Sequence, residues 1–405
     1  MSKKCAAAIM INEDLCSRCS ICHSICPYEA IKRDPETGKV EIDLQKCQVC
    51  GICYSACPAM AVEIIYYDYE SLLKHVKILQ EKCQSDTLVL MCRGNSPSNG
   101  EVQEILKENG LRIEKYIPLR VPCAGRIPAE LIFKVLKSGI SRIISLQCEN
   151  DFCRFKEGTK MNTRRMVLGG KVLEQLGLRK DAFKVIKYSR KAIYDTSKCV
   201  GCDKCVFICP YEAIEAQQLA TPKILVDKCK GCGACALVCP YNAIEVKGFE
   251  FDNVLKRYIE VAKQLKKQGV SPLILVFVCQ WSEFPALDNP ENLLNKKVLM
   301  LEVPCAKALD PVHVFNALQN GFDGVLAAVC SPEDCKLQEG KGTAERNVSV
   351  LKNSLKEIGL LERFELFTVN PRCVGEFDQK LAEFETKIAS LPPLKTMTAE
   401  VRTNV

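Results

Sequence analysis

No apolar run in the sequence is long enough to span a bilayer. The longest, Pro272 to Cys279, is far short of the roughly 20 residues that a membrane helix needs. The apolar run near the N-terminus leads straight into Asn12, Glu13 and Asp14, with no small-residue cleavage site. We therefore interpret this run as the first strand of the fold rather than as a signal peptide. The sequence predicts a cytoplasmic, soluble protein without a membrane span.

The sequence also lacks the motifs that bind nucleotides. It contains neither the phosphate loop G-x-x-x-x-G-K-[ST] nor the dinucleotide fingerprint G-x-G-x-x-G, so it gives no sign of a nucleotide or flavin of its own. No basic run is interleaved with aromatic residues, as in proteins that bind single strands. The formal charge of +7 counts every cysteine as neutral and is a poor guide to partners. We expect no nucleic-acid partner, and we assign no catalytic residue.

Cysteine is what the sequence has in excess, with 27 in 405 residues. Between Cys199 and Pro240 the pattern C-x-x-C-x-x-C-x-x-x-C-P occurs twice. In bacterial ferredoxins, three close thiolates of such a run hold one iron–sulfur cluster and the fourth ligates the neighbouring cluster. Structural zinc is the alternative for a C-x-x-C, but it has no use for eight ligands in this phasing. Cysteines at metal-ligand spacings in a long chain indicate a reducing compartment.

The same run also occurs twice near the start of the chain, once from Cys16 and once from Cys47, and each run ends in Cys-Pro. The cross-ligation rule then predicts four [4Fe-4S] clusters in all. Their ligand sets are Cys16, Cys19, Cys22 and Cys57; Cys47, Cys50, Cys53 and Cys26; Cys199, Cys202, Cys205 and Cys239; and Cys229, Cys232, Cys235 and Cys209.

A fixed separation of 182 residues links cysteines in the two halves of the chain, such as Cys47 with Cys229 and Cys123 with Cys305. We interpret the chain as a tandem duplication with an α+β and α/β multidomain fold. The predicted ferredoxin modules are residues 1–66 and 193–248. Each is followed by a small doubly wound parallel-sheet α/β domain, residues 67–192 and 249–387, and residues 388–405 are predicted to be a flexible tail.

Apolar periodicity predicts the elements of both α/β domains. Helices are expected over 69–83, 101–108, 128–137 and 160–176, and strands over 87–91, 114–121, 142–147 and 183–188. In the second copy, helices are expected over 251–268, 311–318 and 344–358, and strands over 273–278, 298–303, 324–329 and 364–369. His75 stands where the second copy has Arg257, so we interpret it as a solvated basic position rather than a metal ligand.

Most of the remaining cysteines follow predicted strands. Open α/β sheets bind ligands beyond the carboxyl ends of their strands, so four thiols should converge in each copy. These are Cys92, Cys123, Cys148 and Cys153, and then Cys279, Cys305, Cys330 and Cys335. Buried cysteines acting as small hydrophobes are the alternative, but they do not explain the same four positions twice. Four thiols suffice for one zinc ion or one [2Fe-2S] cluster, and beside four cubane clusters we favour two [2Fe-2S] clusters.

The sequence around these cysteines resembles the delta-subunit family of methyl-viologen-reducing hydrogenase, over about residues 84–190 and 271–385. The resemblance rests on Leu90 to Cys92, Val121-Pro122-Cys123-Ala124-Gly125-Arg126-Ile127 and Cys148 to Cys153, and on Val278 to Trp281, Val303-Pro304-Cys305 and Cys330 to Cys335. It implies a [2Fe-2S] cluster and electron transfer between an oxidoreductase and the flavoprotein component of heterodisulfide reductase.

Two departures from the family pattern affect the expected sites. The family has a C-x-x-C after the first strand, whereas Asn95 and Ser282 occupy the second position here. The four remaining cysteines of each copy are expected to keep the cluster. Arg126 has Ala308 at its repeat position, with Lys307 beside it, so we expect the two clusters to differ in surroundings and in potential.

We hypothesise an electron-transfer component of an anaerobic complex. It would link a hydrogenase, formate dehydrogenase or methylene-pterin reductase to a heterodisulfide-reductase-A-like flavoprotein, and could also exchange electrons with soluble ferredoxin. One alternative is a freely diffusing polyferredoxin whose α/β domains are spacers. Another is a catalytic reductase in which an incompletely ligated cluster meets substrate.

Overall fold

The computed structural model describes residues 7–93, 97, 99–218, 220–279, 296–305, 309–330, 335 and 340–394. These residues divide into two compact units. Unit one contains the chain up to Arg190 together with the short segment Pro371–Val374, and unit two contains the other described residues from Lys191 onward.

Unit one begins with a small ferredoxin-type domain made of two antiparallel strand pairs. Strand β1 (Ile9–Ile11) pairs with β4 (Val62–Ile64), and β2 (Ile31–Arg33) pairs with β3 (Val40–Ile42). Short helices α1 (Ile21–Ile25) and α2 (Ile52–Ala56) lie in the two cysteine runs. The strands are brief because cysteine runs and turns interrupt the apolar pattern every few residues.

The rest of unit one is built on a parallel four-stranded sheet in the order β6-β5-β7-β8. The strands are β5 (Thr87–Cys92), β6 (Ile117–Val121), β7 (Arg142–Cys148) and β8 (Phe183–Tyr188). Central strands β5 and β7 are buried almost throughout, as parallel strands covered on both faces must be. The helices are α3 (Tyr69–Cys83), α4 (Asn99–Glu108), α5 (Ala129–Lys137) and α6 (Gly158–Gln175).

Unit two repeats this order of elements. Its ferredoxin-type domain pairs β9 (Ala192–Tyr194) with β12 (Ile244–Val246) and β10 (Ile214–Glu215) with β11 (Lys223–Ile224). Helices α7 (Lys204–Ile208) and α8 (Ala234–Leu237) lie in its cysteine runs.

A second parallel four-stranded sheet follows, in the order β14-β13-β15-β16. Its strands are β13 (Ile274–Cys279), β14 (Val298–Val303), β15 (Gly324–Cys330) and β16 (Phe364–Val369). The helices are α9 (Phe251–Lys267), α10 (Pro311–Gln319), α11 (Gly340–Glu357) and α12 (Glu376–Ser390). None of the helices in the described ranges combines the length and apolar character needed to cross a membrane.

The predicted helices and strands of both sheets are present, with ends that differ by up to four residues. Two expectations were wrong in detail. His75 is 4% exposed rather than solvated, with Nδ1 2.9 Å from the Ser71 carbonyl oxygen and its ring stacked on Tyr67. Helix α12 reaches Ser390 and buries Ile388 in the core of the second sheet, so any tail begins later than residue 388.

Candidate iron–sulfur sites

Two of the predicted ligand sets line small cavities near the surface. Cys16, Cys19, Cys22 and Cys57 surround one cavity in unit one, and Cys199, Cys202, Cys205 and Cys239 surround another in unit two. We call these the outer sets. In each outer set the second cysteine, Cys19 or Cys202, is exposed to solvent. Each cavity joins three cysteines of one run to the fourth cysteine of the next, as the cross-ligation rule predicts.

The other two ferredoxin-type sets lie deeper, and we call them the inner sets. Burial raises the pKa of Cys53, and so do neighbouring thiols, among them Cys50, Cys47 and Cys26. Burial likewise raises the pKa of Cys235, with further contributions from Cys232, Cys229 and Cys209. The members of each inner set therefore lie close enough for their charges to interact.

Local backbone geometry repeats in all four cysteine runs. Each short helix begins after a residue of positive φ, which is Ser20 (63°), Gly51 (78°), Asp203 (56°) or Gly233 (84°). Each fourth cysteine accepts a hydrogen bond from the backbone amide four residues later, with N to Sγ distances of 3.2–3.4 Å. Such amides stabilise negative charge on cluster sulfurs and tune potentials.

The first α/β site forms at the carboxyl ends of three neighbouring strands. Cys92 and Cys148 end β5 and β7, and Cys123 follows β6. A 3-10 turn, Asn150–Phe152, then delivers Cys153. The neighbouring thiol of Cys148, together with burial, raises the pKa of Cys92. Burial also raises the pKa of Cys123, and the thiols of Cys153 and Cys148 raise it further, so the four predicted cysteines converge.

Two glycines make room for this site. A Cβ at Gly158, the first residue of α6, would lie 2.2 Å from Cys123 Sγ. A Cβ at Gly125 would lie 2.6 Å from the Cα of Gly158. Real Cβ atoms do not approach this closely, so both positions exclude a side chain while Cys123 keeps its place. The backbone amide of Ala124 donates to Cys92 Sγ at 3.2 Å.

The second α/β site has the same position in its sheet. Cys279 ends β13 and Cys330 ends β15. The neighbouring thiols of Cys279 and Cys335, followed by burial, raise the pKa of Cys330 strongly. Cys305 is 4% exposed and lies two residues beyond Val303, which pairs with Cys279 across the sheet. Asn95 and Ser282 lie outside the described residues.

A tyrosine marks the junction between the inner set and the α/β site in each unit. Burial raises the pKa of Tyr28, and the neighbouring thiols of Cys50 and Cys123 add to the effect. The Tyr28 hydroxyl donates to the Arg154 carbonyl oxygen at 3.3 Å. In unit two, Tyr211 packs in one apolar cluster with Cys232 and Cys305. Tyr28 thus lies close enough to a ferredoxin-type cysteine and an α/β cysteine for both to affect its pKa, and Tyr211 packs against the cluster that contains one of each.

Basic side chains surround the first α/β site. Arg165 donates from Nη1 to the carbonyl oxygens of Gly125 (2.8 Å) and Ile127 (3.0 Å). Partial burial lowers the pKa of Lys187, and the thiols of the site counteract this shift. Lys187 Nζ also donates to Thr159 Oγ1 at 2.9 Å. These cations would stabilise a negatively charged cluster.

The donor chemistry of the six sites fits iron–sulfur clusters. Buried thiols with raised pKa values stay protonated in the absence of metal, whereas a coordinated thiol loses its proton outright. The amides that point at cysteine sulfurs, and the space kept by Gly158, are arranged for sulfur atoms that carry charge. The ligand assignment itself stays a prediction.

Sequence reasoning missed Tyr28, Tyr211 and Gly158. The Cys-Pro-Tyr motif was visible at Cys26 and Cys209, but it also occurs at Cys239, where Tyr241 is half-exposed. No periodic signal distinguishes Gly158 from glycines that serve only to turn the chain.

The fold and the cysteine sets define an iron–sulfur protein with two ferredoxin-type domains and two parallel-sheet domains. Models of 4Fe-4S dicluster domains match residues 15–61 and 192–246. The family described as methyl-viologen-reducing hydrogenase, delta subunit, matches residues 89–200 and 274–392, together more than half of the chain. The chain belongs to this family, which confirms the resemblance found in the sequence.

Curated relatives agree with this family. The D-type iron-sulfur subunit of an F420-non-reducing hydrogenase from Archaeoglobus profundus is 31% identical over 31% of this chain and 93% of its own length. The A-type subunit of ferredoxin:CoB-CoM heterodisulfide reductase from Methanosarcina mazei is 32% identical over 49% of this chain. The match covers only 25% of the heterodisulfide reductase protein, so the chain spans about a quarter of this relative.

Proposed function

We propose that the protein is an iron–sulfur electron-transfer subunit carrying four [4Fe-4S] and two [2Fe-2S] clusters. The ligands would be the outer sets, the inner sets and the two α/β sites defined above. The observation that carries the proposal is the junction at Tyr28 and Tyr211, where inner-set cysteines adjoin α/β cysteines in both units. Such closeness supports relay of electrons and gives the α/β domains a role beyond spacing.

We further propose the order of the relay within each unit. Electrons would move between the outer set, the inner set and the α/β site, because the inner set shares surroundings with both. The pKa of Cys53 is raised by the other inner-set thiols and also by Cys22 of the outer set. The pKa of Cys123 is raised by Cys50 of the inner set. The bound clusters supply one-electron redox chemistry. The chain binds them, excludes water from the inner sites and orients amides toward their sulfurs.

The domain arrangement belongs to the same proposal. We infer a tandem duplication with modules at 1–66 and 193–248, doubly wound α/β domains at 67–192 and 249–387, and a tail within 388–405. The repeated order of elements and the two matches to one family support it. The metal-ligand spacing of the cysteines supports a reducing, cytoplasmic compartment.

The partners we propose are a heterodisulfide-reductase-A-like flavoprotein and a hydrogenase, formate dehydrogenase or methylene-pterin reductase. Similarity both to a heterodisulfide reductase protein and to a hydrogenase iron-sulfur protein supports this choice. Soluble ferredoxin is a further candidate for electron exchange. Gentle anaerobic isolation followed by mass spectrometry of the accompanying chains tests these proposed partners. Isolation as a lone, reducible protein would favour the freely diffusing polyferredoxin.

Iron analysis tests the cluster content directly. Anaerobically purified protein should contain about 20 iron atoms per chain, about 16 from cubane clusters and about four from [2Fe-2S] clusters. A content near 16 with bound zinc would contradict the [2Fe-2S] assignment and leave the ferredoxin-type assignment standing.

A further inference from the structure

Arg126 is 0% exposed and, with Arg190, is one of the two largest fully buried side chains in the described part of the protein. It lies three residues after Cys123, in the 3-10 turn Ala124–Arg126. The sequence placed it beside the first α/β site, but its side chain extends into the ferredoxin-type domain. Nη1 donates to the Tyr66 carbonyl oxygen at 3.0 Å, and Nη2 donates to the carbonyl oxygen of Val49.

Val49 lies between two inner-set cysteines, Cys47 and Cys50. The buried guanidinium therefore reaches the backbone of the inner set itself. The guanidinium thus holds its positive charge against the loop that carries Cys47 and Cys50. Arg372, in the segment that belongs to this unit, also donates to the Cys47 carbonyl oxygen, at 2.8 Å.

Gly51 forms the socket for this arginine. A Cβ at Gly51 would lie 2.5 Å from Arg126 Nε and 2.9 Å from its Cγ. Positive φ alone does not explain the glycine, because Ser20 and Asp203 adopt the same backbone conformation at the equivalent positions of other runs. Gly233 has the same conformation in the second copy, where Ala308 replaces the arginine, so the glycine is not specific to Arg126. At Gly51, however, the missing side chain leaves the space that Arg126 occupies.

We propose that Arg126 is a positioning residue that raises the reduction potential of the [4Fe-4S] cluster held by Cys26, Cys47, Cys50 and Cys53. The inference rests on the proposed function. Reduction adds one electron to the cluster and makes it more negative without breaking a bond. A buried positive charge stabilises that reduced form. Ala308 stands at the corresponding position of the second copy, so that copy has no arginine at this position.

A redox titration of the full chain tests the proposal. Anaerobic protein is reduced stepwise with dithionite while electron paramagnetic resonance follows the cluster signals. Arg126→Gln should move one [4Fe-4S] step to a more negative potential and leave the other steps unchanged. Arg126→Lys should move the same step less, because the charge is retained. Arg179→Gln is the matched control, since Arg179 is an exposed arginine paired with Asp181 at 2.8 Å.

A second pair of variants tests the socket. Gly51→Ala should reproduce the negative shift of Arg126→Gln, because the new Cβ displaces the arginine. Gly38→Ala is the control, since Gly38 has a similar φ of +70° in the same domain but no atom closer than 3.7 Å to an added Cβ. Iron content reports whether each variant keeps its clusters.

The outcomes separate the two proposals. If the wild-type protein holds its clusters and no [4Fe-4S] step moves in Arg126→Gln, the role of Arg126 is wrong and the electron-transfer function stands. A shift confined to a [2Fe-2S] signal would also overturn it, because the arginine would then act on the α/β site. Wild-type protein without clusters would overturn the proposed function itself.

Discussion

The two units place cysteines alike but surround them differently. In unit one, Arg126 extends from the first α/β site to the inner set, and Arg165 and Lys187 lie near the α/β site itself. The residues 182 positions later are Ala308, Asn347 and Val369, and Val369 is 1% exposed within an apolar core. The ends of the strands therefore determine where the thiols lie, whereas side chains that differ between the two copies determine the charge around the thiols. If the proposed clusters are present, the same fold would hold two clusters of one kind at different potentials.

The two α/β sites can differ in reduction potential only if both of them hold a cluster. Cys148→Ala and Cys330→Ala should each remove one of two [2Fe-2S] signals and about two iron atoms per chain, because each deletes a buried ligand. Iron analysis and electron paramagnetic resonance measure both effects. Cys83→Ala, at the end of α3, is the control and should keep every signal. Retention of both signals in both variants would mean that these cysteines are not ligands.

Gly158→Ala should weaken the first α/β site without deleting a ligand. Its Cβ would meet Cys123 Sγ at 2.2 Å, so either α6 or the thiol must move. We expect one [2Fe-2S] signal to be lost or reduced while the second copy keeps its own. Gly177→Ala is the control, because a Cβ there meets no atom within 4 Å, although its φ of +71° makes alanine strained. Equal cluster loss in both variants would show that the effect is general destabilisation.

Lys187→Met should shift the potential of the first α/β cluster to more negative values. The shift should be smaller than that of Arg126→Gln on its own cluster, because Lys187 is exposed and water screens its charge. Lys184→Met, on the same strand, is the matched control, since Lys184 Nζ donates to the Asn109 carbonyl oxygen. If a redox titration shows the same potential in both lysine variants, Lys187 does not tune the first α/β cluster.

Gln147→Val should affect stability more than cluster properties. Gln147 joins Ser145 and Asn162 in a buried polar network under the first site, with hydrogen bonds of 3.0 Å from Ser145 Oγ and 2.9 Å to Thr159 Oγ1. Removing the Gln147 amide leaves these buried partners without their hydrogen bonds, which lowers the free energy of unfolding by about 1–3 kcal/mol. Thermal unfolding followed by circular dichroism measures the loss. Val329→Ala, at the corresponding apolar position, is the control for lost volume alone, and an equal loss in both would argue against the network.

Much of the fold could be predicted because strong local patterns govern it. Fully apolar strands such as β13 and β15 are buried on both faces, and their cysteine ends fix where the thiols meet. The cross-ligation rule also predicts the four ligand sets, and the cysteines of each outer set line one cavity. Contacts between distant segments could not be predicted in this way. The direction of the Arg126 side chain depends on space at Gly51, 75 positions earlier in the chain.

His75 illustrates the same limit. Its counterpart Arg257 indicated a solvated position, but the packing of α3 against Tyr67 buries the imidazole. Such burial follows from how elements meet rather than from periodicity within one helix. The same is true of Tyr28, whose role at a junction depends on a neighbour, Cys123, contributed by another domain.

The exposure of Cys19 and Cys202 has a consequence for survival in air. Oxidants reach thiolate sulfur in proportion to its exposure. Damage should therefore begin at the outer sets, where one cysteine faces solvent, and reach Cys92 and Cys279 last, which are 3% and 2% exposed. Briefly aerated protein would therefore be oxidised at the outer sets while the cysteines of the α/β sites stay intact.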